Sequence, residues 1–350
     1  MPRRSRRDFE SRQARPLYRA VAWLIGAILS ALTVGAGAAA EDSTGAATPR
    51  ESMDEAWWTG PLLAANASTL PQGHFLIEPY LFDSLPYARF DSRGVARDVP
   101  HANDFGSQSY VNYGLVDGFT VGLIPRFGYD QPRNGSSSSG IGVGDLSVQA
   151  QYRLTQFQEG HWLPTISVNL METLPTGEYD RLERPSDGFG AGAYTTTVSL
   201  YSQSYFWLNN GRILRARFNL AYAMSGRVNV EDASVYGTTA GFHGRASPGD
   251  TAVANLAFEY SASRHWVLAL DLWYERDGAT AVFGSYSSNG NEPPAGFQSN
   301  SGVGRILFVA PAVEYNWNSR VGVIFGFRLA AAGWNETATV TPVMAVNCVI

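Results

Sequence analysis

The sequence predicts an all-β protein: a transmembrane antiparallel up-and-down β-barrel of about 12 strands, with short periplasmic turns and long extracellular loops. Three observations predict it. Apolar residues recur with a period of two in segment after segment, the connections between segments alternate between short and long, and large aromatics sit beside the short turns on the apolar face.

The stretch from Thr251 to Gly278 carries the pattern most fully. Ala252, Ala254, Leu256, Phe258 and Tyr260 alternate with polar or small residues, and after the break Ser261 to His265 the alternation resumes with Trp266, Leu268, Leu270, Leu272 and Tyr274. That is a hairpin with one apolar face. The other face holds Asn255, Glu259, Asp271 and Glu275. Burying these dry is costly, so that face must meet water or charged partners. Nine residues at about 3.4 Å each, tilted about 40°, cover roughly the 25 Å that an outer-membrane barrel shows to lipid.

The other elements follow in chain order. A first strand runs from His74 to Phe82, then Val111–Val116 and Phe119–Phe127 are joined by Asp117-Gly118, a dipeptide suited to a tight hairpin. Asp145–Leu154 pairs with Trp162–Met171, Tyr194–Leu208 with Ile213–Met224 through Asn209 to Arg212, and Arg305–Trp317 with Val321–Ala332 through Asn318 to Arg320. A last strand covers Thr337–Ile350. The intervening segments Asp130–Gly140, Glu172–Gly192, Ser225–Gly249 and Asp277–Gly304 read as long loops. Tyr113, Phe119, Trp162, Phe206, Tyr260, Trp266, Tyr315 and Trp317 share the parity of the apolar face beside the short turns. A soluble β-sandwich also alternates, but it has no reason to place large aromatics at one end of every outward row.

Composition and the N-terminus agree with export. The 350 residues are 45% hydrophobic and 13% aromatic, with 36 glycines, which favours β structure rich in turns. Seven arginines against Asp8 and Glu10 give the first forty residues a balance of +5, so the remainder of a chain of net charge −5 sits at −10. Nucleic acid is therefore excluded as a partner. Residues 1–40 read as a cleaved signal peptide: a basic n-region, an apolar run Val21–Val34 and the small-residue site Ala38-Ala39-Ala40. Ser5-Arg6-Arg7-Asp8-Phe9 resembles the start of a twin-arginine signal, a route for folded cargo that conflicts with a barrel. The one cysteine, Cys348, excludes an internal disulfide and every multi-cysteine metal site. Residues 41–72 form an N-terminal periplasmic or plug segment and 73–350 the barrel, with the apolar stretch Trp57–Leu70 as the candidate plug.

Two blocks carry a family resemblance. Gly60 to Gly73, followed by His74-Phe75-Leu76-Ile77-Glu78-Pro79-Tyr80, resembles the opening of the outer-membrane barrel family named for the meta-pathway of phenol degradation. Ile141-Gly142-Val143-Gly144-Asp145-Leu146, leading into Gln151-Tyr152-Arg153-Leu154, is similar to that family's second recurrent block. The resemblance implies a transporter-like barrel associated with the catabolism of aromatic compounds.

Parity places Glu78, Arg126, Arg153, Arg215, Arg217, Glu259, Asp271, Glu275, Glu314 and Arg328 on the lumen side, five carboxylates against five guanidiniums. These ions either brace the barrel by pairing across a narrow lumen or line a hydrated path, as charged rings do in pores. Tyr201, Tyr205, Trp207, Trp273, Ile306 and Phe308 share the inward parity and either fill space or form a track for an apolar solute.

Catalytic and metal chemistry find little. None of the five histidines belongs to a metal-binding pattern, and Ser263 near His265 is the one close serine–histidine pair, placed in a turn. Glu178, Asp180, Glu183 and Asp187 cluster in one loop that also holds Arg181 and Arg184, a mixed-charge arrangement of a solvated surface that is alternatively a Ca²⁺ site. The reading is an outer-membrane channel for small solutes, aromatic or hydrophobic, working without a cofactor. Its partners are outer-membrane lipid and lipopolysaccharide, the barrel-assembly machinery and the solute. The alternatives are a barrel acting as a surface adhesin or structural protein, and a lipid-modifying hydrolase.

Overall fold

A computed structural model describes residues 49–287 and 295–350. The proposed signal peptide, the start of the segment that follows it and a short piece of the last long loop lie outside the described residues. The strands, in chain order, are β1 (Phe75–Phe90), β2 (Ala96–Asp98), β3 (Ala102–Val116), β4 (Phe119–Ile124), β5 (Arg126–Pro132), β6 (Gly142–Val143) and β7 (Leu146–Thr155). Then come β8 (Thr165–Leu174), β9 (Thr195–Trp207), β10 (Ile213–Ser225), β11 (Val228–Glu231), β12 (Phe242–Ser247) and β13 (Thr251–Ser261). The chain ends with β14 (Trp266–Asp277), β15 (Ala281–Tyr286), β16 (Ala295–Asn300), β17 (Gly304–Asn316), β18 (Val321–Trp334) and β19 (Thr337–Val349).

Neighbouring strands follow the order β1-β19-β18-β17-β14-β13-β10-β9-β8-β7-β4-β3, and β3 pairs back onto β1 from Phe75↔Tyr113 to Ser84↔Asp104. That closes a wall of twelve antiparallel strands. β4 and β5 are one wall strand interrupted at Pro125, which has no N–H to give; the Pro125 carbonyl still accepts from Ser109 at 3.1 Å. The short turns follow the expected chemistry, as at Gly118, whose φ of +82° completes the Asp117-Gly118 turn.

Burial is inverted relative to a soluble protein. Leu81, Leu123, Leu170, Phe218, Leu256 and Phe325 are exposed, while Ser147, Ser167, Asn169, Asn255, Glu259, Asp271 and Glu314 on the opposite faces of the strands are buried. The apolar rows do not pack on each other as the two layers of a sandwich would. They face out of a single closed sheet, the arrangement that lipid requires. Outward aromatics gather at the short-turn end: Phe75 meets Tyr113 at 4.5 Å, and Tyr315 meets Trp266 at 4.8 Å and Trp317 at 5.3 Å between ring centroids.

Three features differ from the expectation. β1 and β3 are longer than the apolar alternation indicates, reaching Phe90 and back to Ala102. The added residues, such as Asp83, Ser84, Asn103 and Asp104, belong to the stretch nearest the long-loop end, where strands leave lipid and the period-two signal lapses. Trp162 lies outside β8, fully solvent-facing in the turn before it. The long loops are not all irregular: β11, β12, β15 and β16 form a separate four-stranded sheet. Val228, Val230, Phe242, Ala246 and Val282 make its core, with Tyr179, Tyr236, Tyr286 and Phe297 packed against it. The Tyr236 hydroxyl donates to the Ala191 carbonyl, and burial pushes its pKa up to about 12.

Residues 49–52 and 207–212 make a small unit of their own. Trp207 Nε1 donates to the Glu51 carbonyl at 2.8 Å, the Arg212 guanidinium pairs with the Glu51 carboxylate at 3.0 Å, and the Arg50 guanidinium lies 4.3 Å over the Trp207 ring. Trp207 is thus engaged in this unit.

The inverted burial generates a test. Leu256 lies midway along β13 on the outward face, so Leu256→Arg is expected to destabilise the barrel by about 2–4 kcal/mol. Urea unfolding in lipid bilayers measures this, with Leu256→Phe expected to be nearly neutral.

Candidate functional site

The interior is not an empty tube. Residues 56–72, which belong to no strand, run along the inner wall at the short-turn end. Because this stretch has no ladder partner, its backbone polar groups must be satisfied by other means. The inward side chains of the wall supply them. The Glu314 carboxylate accepts the N–H groups of Thr59 and Gly60 at 2.7 and 3.2 Å, and Asp271 accepts those of Leu63 and Ala64 at 3.3 and 2.9 Å. Arg217 donates to the Ala64 carbonyl at 2.7 Å, Asn219 to Ala65 at 3.0 Å and Gln151 to Asn66 at 2.9 Å. The Ser167 hydroxyl donates to the Ala67 carbonyl, and the Leu70 N–H reaches Thr120 Oγ1 at 2.9 Å. Following the chain, these contacts pass from β17 through β14 and β10 to β7, β8 and β4, within a run of eight adjacent wall strands. Leu62 turns towards β17, β18 and β19, where Ala310, Ile324, Val343 and Ala345 bury it.

Two aromatic contacts fix the entry to this stretch. Trp57 meets the edge of His265 at 5.1 Å and carries the Arg264 guanidinium 4.5 Å from its ring; Trp58 carries that of Arg215, also at 4.5 Å. Such cation–π contacts are strengthened where water is excluded. Glycines make room for the backbone. A Cβ at Gly114 would collide with the Pro71 carbonyl, and one at Gly322 with the Thr59 and Asn316 side chains.

Beneath Trp58 lies the densest charge cluster. Arg215 and Glu259 form a two-pronged pair, Nε to Oε2 at 2.6 Å with a second guanidinium nitrogen on Oε1, and Arg217 Nε lies 3.2 Å from the same carboxylate. All three are buried. Two guanidiniums on one carboxylate offset the desolvation of all three groups far better than a single pair would.

A cavity of about 350 Å³ adjoins this stretch, lined by residues 59–66 together with Tyr80, Tyr110, Tyr201, Trp273, Glu78, Arg126 and Gln149. Tyr80 and Tyr110 meet edge to face at 5.8 Å, and the Tyr110 hydroxyl accepts from Gln108 at 2.6 Å. Arg126 is held from behind by Gln108, the Asp145 carbonyl and Ser147 at 2.8–3.0 Å. Glu78 accepts from Asn347 at 3.2 Å.

The remaining inward residues are dispersed. Towards the long loops, Arg328 stacks 4.8 Å over Phe308, and Trp273 donates to Glu275 at 2.9 Å. Phe308 and Ile306 join Ala88, Phe90, Ala330 and Ala338 in an apolar cluster against Trp273. Tyr205 receives a hydrogen bond from Gln203 at 2.7 Å and packs on Phe157. Arg153 is half-buried at the short-turn end of β7.

Ser263 and His265 are used structurally. The Ser263 hydroxyl accepts the Trp266 N–H at 3.1 Å, and the His265 ring contacts the Asn316 carbonyl at 2.7 Å. The acidic loop is drawn into separate contacts: Asp180 caps the Glu231 N–H, Arg181 pairs with Glu231, and Asp187 accepts the Ser139 N–H. Among the described residues no group of three acidic, His or Cys side chains has a metal-holding geometry.

Asn219, Gln151, Ser167, Thr120 and Asn316 also hold the inner stretch, although sequence reasoning singled out only ions and aromatics. Their inward parity was the available signal.

No family model and no curated protein matches the sequence. Among solved structures, the COG4313 outer membrane channel from Pseudomonas putida F1 superposes with a TM-score of 0.58 at 14% identity, covering 81% of this chain and 98% of that one. The fold is that of an outer-membrane β-barrel. Looser similarities include a TodX monoaromatic hydrocarbon channel mutant (TM-score 0.41, 12% identity, 86% and 97% covered) and the Ralstonia pickettii toluene transporter TbuX (0.36, 11%, 80% and 90%).

Removing the shared carboxylate of the charge cluster strands two buried guanidiniums. Glu259→Ala is expected to cost about 3–5 kcal/mol in urea unfolding. The double variant Arg215→Met/Glu259→Leu is expected to recover part of that loss.

Proposed function

We propose that this protein is an outer-membrane channel through which small aromatic or hydrophobic solutes cross by passive or facilitated diffusion. It is exported by the signal peptide in residues 1–40 and inserted by the barrel-assembly machinery among lipid and lipopolysaccharide, and the resemblance of its two sequence blocks to the meta-pathway barrel family supports the same reading. The observation that carries the reading is the cavity of about 350 Å³ inside the wall, with Tyr80, Tyr110, Tyr201 and Trp273 on its lining. A ring-bearing solute finds aromatic edges and faces there, with Gln149, Glu78 and Arg126 offering donors and acceptors to a polar substituent. The neighbour from Pseudomonas putida, itself an outer membrane channel, agrees in fold.

The second reading is a surface adhesin or structural barrel. The four-stranded sheet with its own core favours it, since a shaped loop domain serves contact as well as gating. Conductance in planar bilayers separates the two. The channel reading expects discrete openings and a saturable block by benzyl alcohol. Tyr110→Ala or Tyr201→Ala is expected to raise the half-blocking concentration about two- to tenfold, the equivalent of ~0.5–1.5 kcal/mol per aromatic contact. A heat-modifiable, folded barrel that never conducts would leave the surface reading standing.

A further inference from the structure

We infer that the cavity takes aromatic carboxylates, with the ring of the solute among Tyr80, Tyr110 and Tyr201 and its carboxylate received by Arg126 and the Tyr110 hydroxyl. The inference rests on the channel reading and adds to it the chemical class of the solute.

A count of donors and acceptors carries it. An arginine side chain can only donate. Arg126 Nε gives its hydrogen to Gln108 Oε1 at 3.0 Å, which fixes the amide with its nitrogen turned to the Tyr110 hydroxyl, 2.6 Å away. That hydroxyl is therefore an acceptor towards Gln108, and its own proton finds no acceptor among the described residues. Arg126 Nη1 uses both its hydrogens, on the Asp145 carbonyl at 3.0 Å and on Ser147 Oγ at 2.8 Å. Nη2 has no protein acceptor among the described residues, and it is not sealed within the wall. One glutamine thus holds two side chains of the cavity lining, each with a donor left to give.

No carboxylate of the protein answers them. Among the described residues none lies within 4.0 Å of the Arg126 guanidinium. Asp145, whose main-chain carbonyl Arg126 holds, turns its carboxylate oxygens to the N–H groups of Gly177 and Ala191 at 2.9 and 2.7 Å. Glu78 stands opposite Tyr110 in the β1–β3 register, whereas Arg126 stands opposite Gln108 in the β3–β5 register. The two ions are therefore two strands apart, about 10 Å across the sheet. Glu78 is bonded instead to Asn347, on the far side of β1. A ligand reaches Arg126 without breaking an ion pair.

A guanidinium in a confined space without a counter-ion is costly, and a carboxylate offsets that cost through charge-assisted hydrogen bonds, roughly twice as strong as neutral ones. The Tyr110 proton supplies a second bond to the same group. A neutral ring compound leaves both donors to water, and an ammonium would set donors against donors. The edge-to-face pair of Tyr80 and Tyr110, 5.8 Å between centroids, places apolar surface beside this polar end. A cavity of about 350 Å³ suits a single ring with a short acidic arm.

The test titrates full-length protein in detergent, shown folded by heat-modifiable migration, with benzoate and its neutral isostere benzamide at neutral pH. Calorimetry reads binding, and the same compounds are assayed as blockers in planar bilayers. Benzoate is expected to half-saturate at about a tenfold lower concentration than benzamide. Arg126→Gln is expected to bring that ratio to about one, and Tyr110→Phe, which keeps the ring and removes the proton, to lower it severalfold. A ratio near one in the native protein overturns the inference, as does a ratio that stays at tenfold in either variant. Benzylammonium binding more tightly than benzoate assigns the polar end to Glu78 and overturns it too. Block by benzyl alcohol without preference for benzoate leaves the channel reading intact and removes the carboxylate. A tenfold preference in calorimetry from a barrel that never conducts upholds the carboxylate site and overturns the channel reading.

Discussion

Satisfaction of backbone polar groups in a place without water is the constraint from which the rest of this structure follows. In the wall it is met by closure: the β1–β3 pairing leaves no strand with a free edge in the lipid. Inside the wall it recurs in a second form. A stretch of chain that enters the lumen without joining a sheet brings unpaired N–H and C=O groups into a confined space. The wall answers with carboxylates, amides and hydroxyls at the heights where those groups arrive. The inward face is polar and charged for that reason as much as for any solute.

The two halves of the interior are unlike, and the difference follows from the same constraint. The strands that receive the backbone of residues 56–72, the strap, are lined by hydrogen-bonding residues, including Thr120, Gln151, Ser167, Asn219 and Asp271. β17, β18 and β19 present alanines, Ile324 and Val343 to Leu62, and further along, Phe90, Ile306 and Phe308 form an apolar mass. Apolar burial on one side fills volume without asking for partners. The remaining space lies beside the tyrosines. Shape therefore comes from one half of the wall and hydrogen bonding from the other.

How much of this was legible in the sequence depends on which solvent each face meets. Wherever a strand has lipid outside and polar contents inside, the period of two is plain, and Leu256 against Glu259 or Leu272 against Asp271 discloses both faces. Near Asp83 and Asp104 both faces are polar, so the ends of β1 and β3 leave no such trace. The four-stranded sheet of the loops is built from short strands such as Val228–Glu231 and Phe242–His243-Gly244-Arg245-Ala246-Ser247, too brief for alternation to stand out among glycines and serines. Parity put Glu314 and Asp271 on the inner side. It carried no information on what they face, since a hydrogen bond to a main-chain N–H is blind to the partner's side chain. Gly114 and Gly322, whose missing side chains admit the strap, looked like ordinary strand glycines.

The inward ions divide according to their partners, and that division bears on selectivity. Glu259 is shared by Arg215 and Arg217, Asp271 and Glu314 are occupied by the strap, Glu275 accepts from Trp273, and Arg328 lies against Phe308. Glu78 and Arg126 are the ions on the cavity lining that the strap does not engage, and they are of opposite sign. A ring of one charge discriminates between ions by Coulomb attraction; a balanced pair does not. On the proposed channel reading, discrimination in this cavity falls to the fit of a solute against tyrosine and tryptophan rings and to the matching of its polar groups. That is a weaker filter against small neutral molecules than against bulky ones.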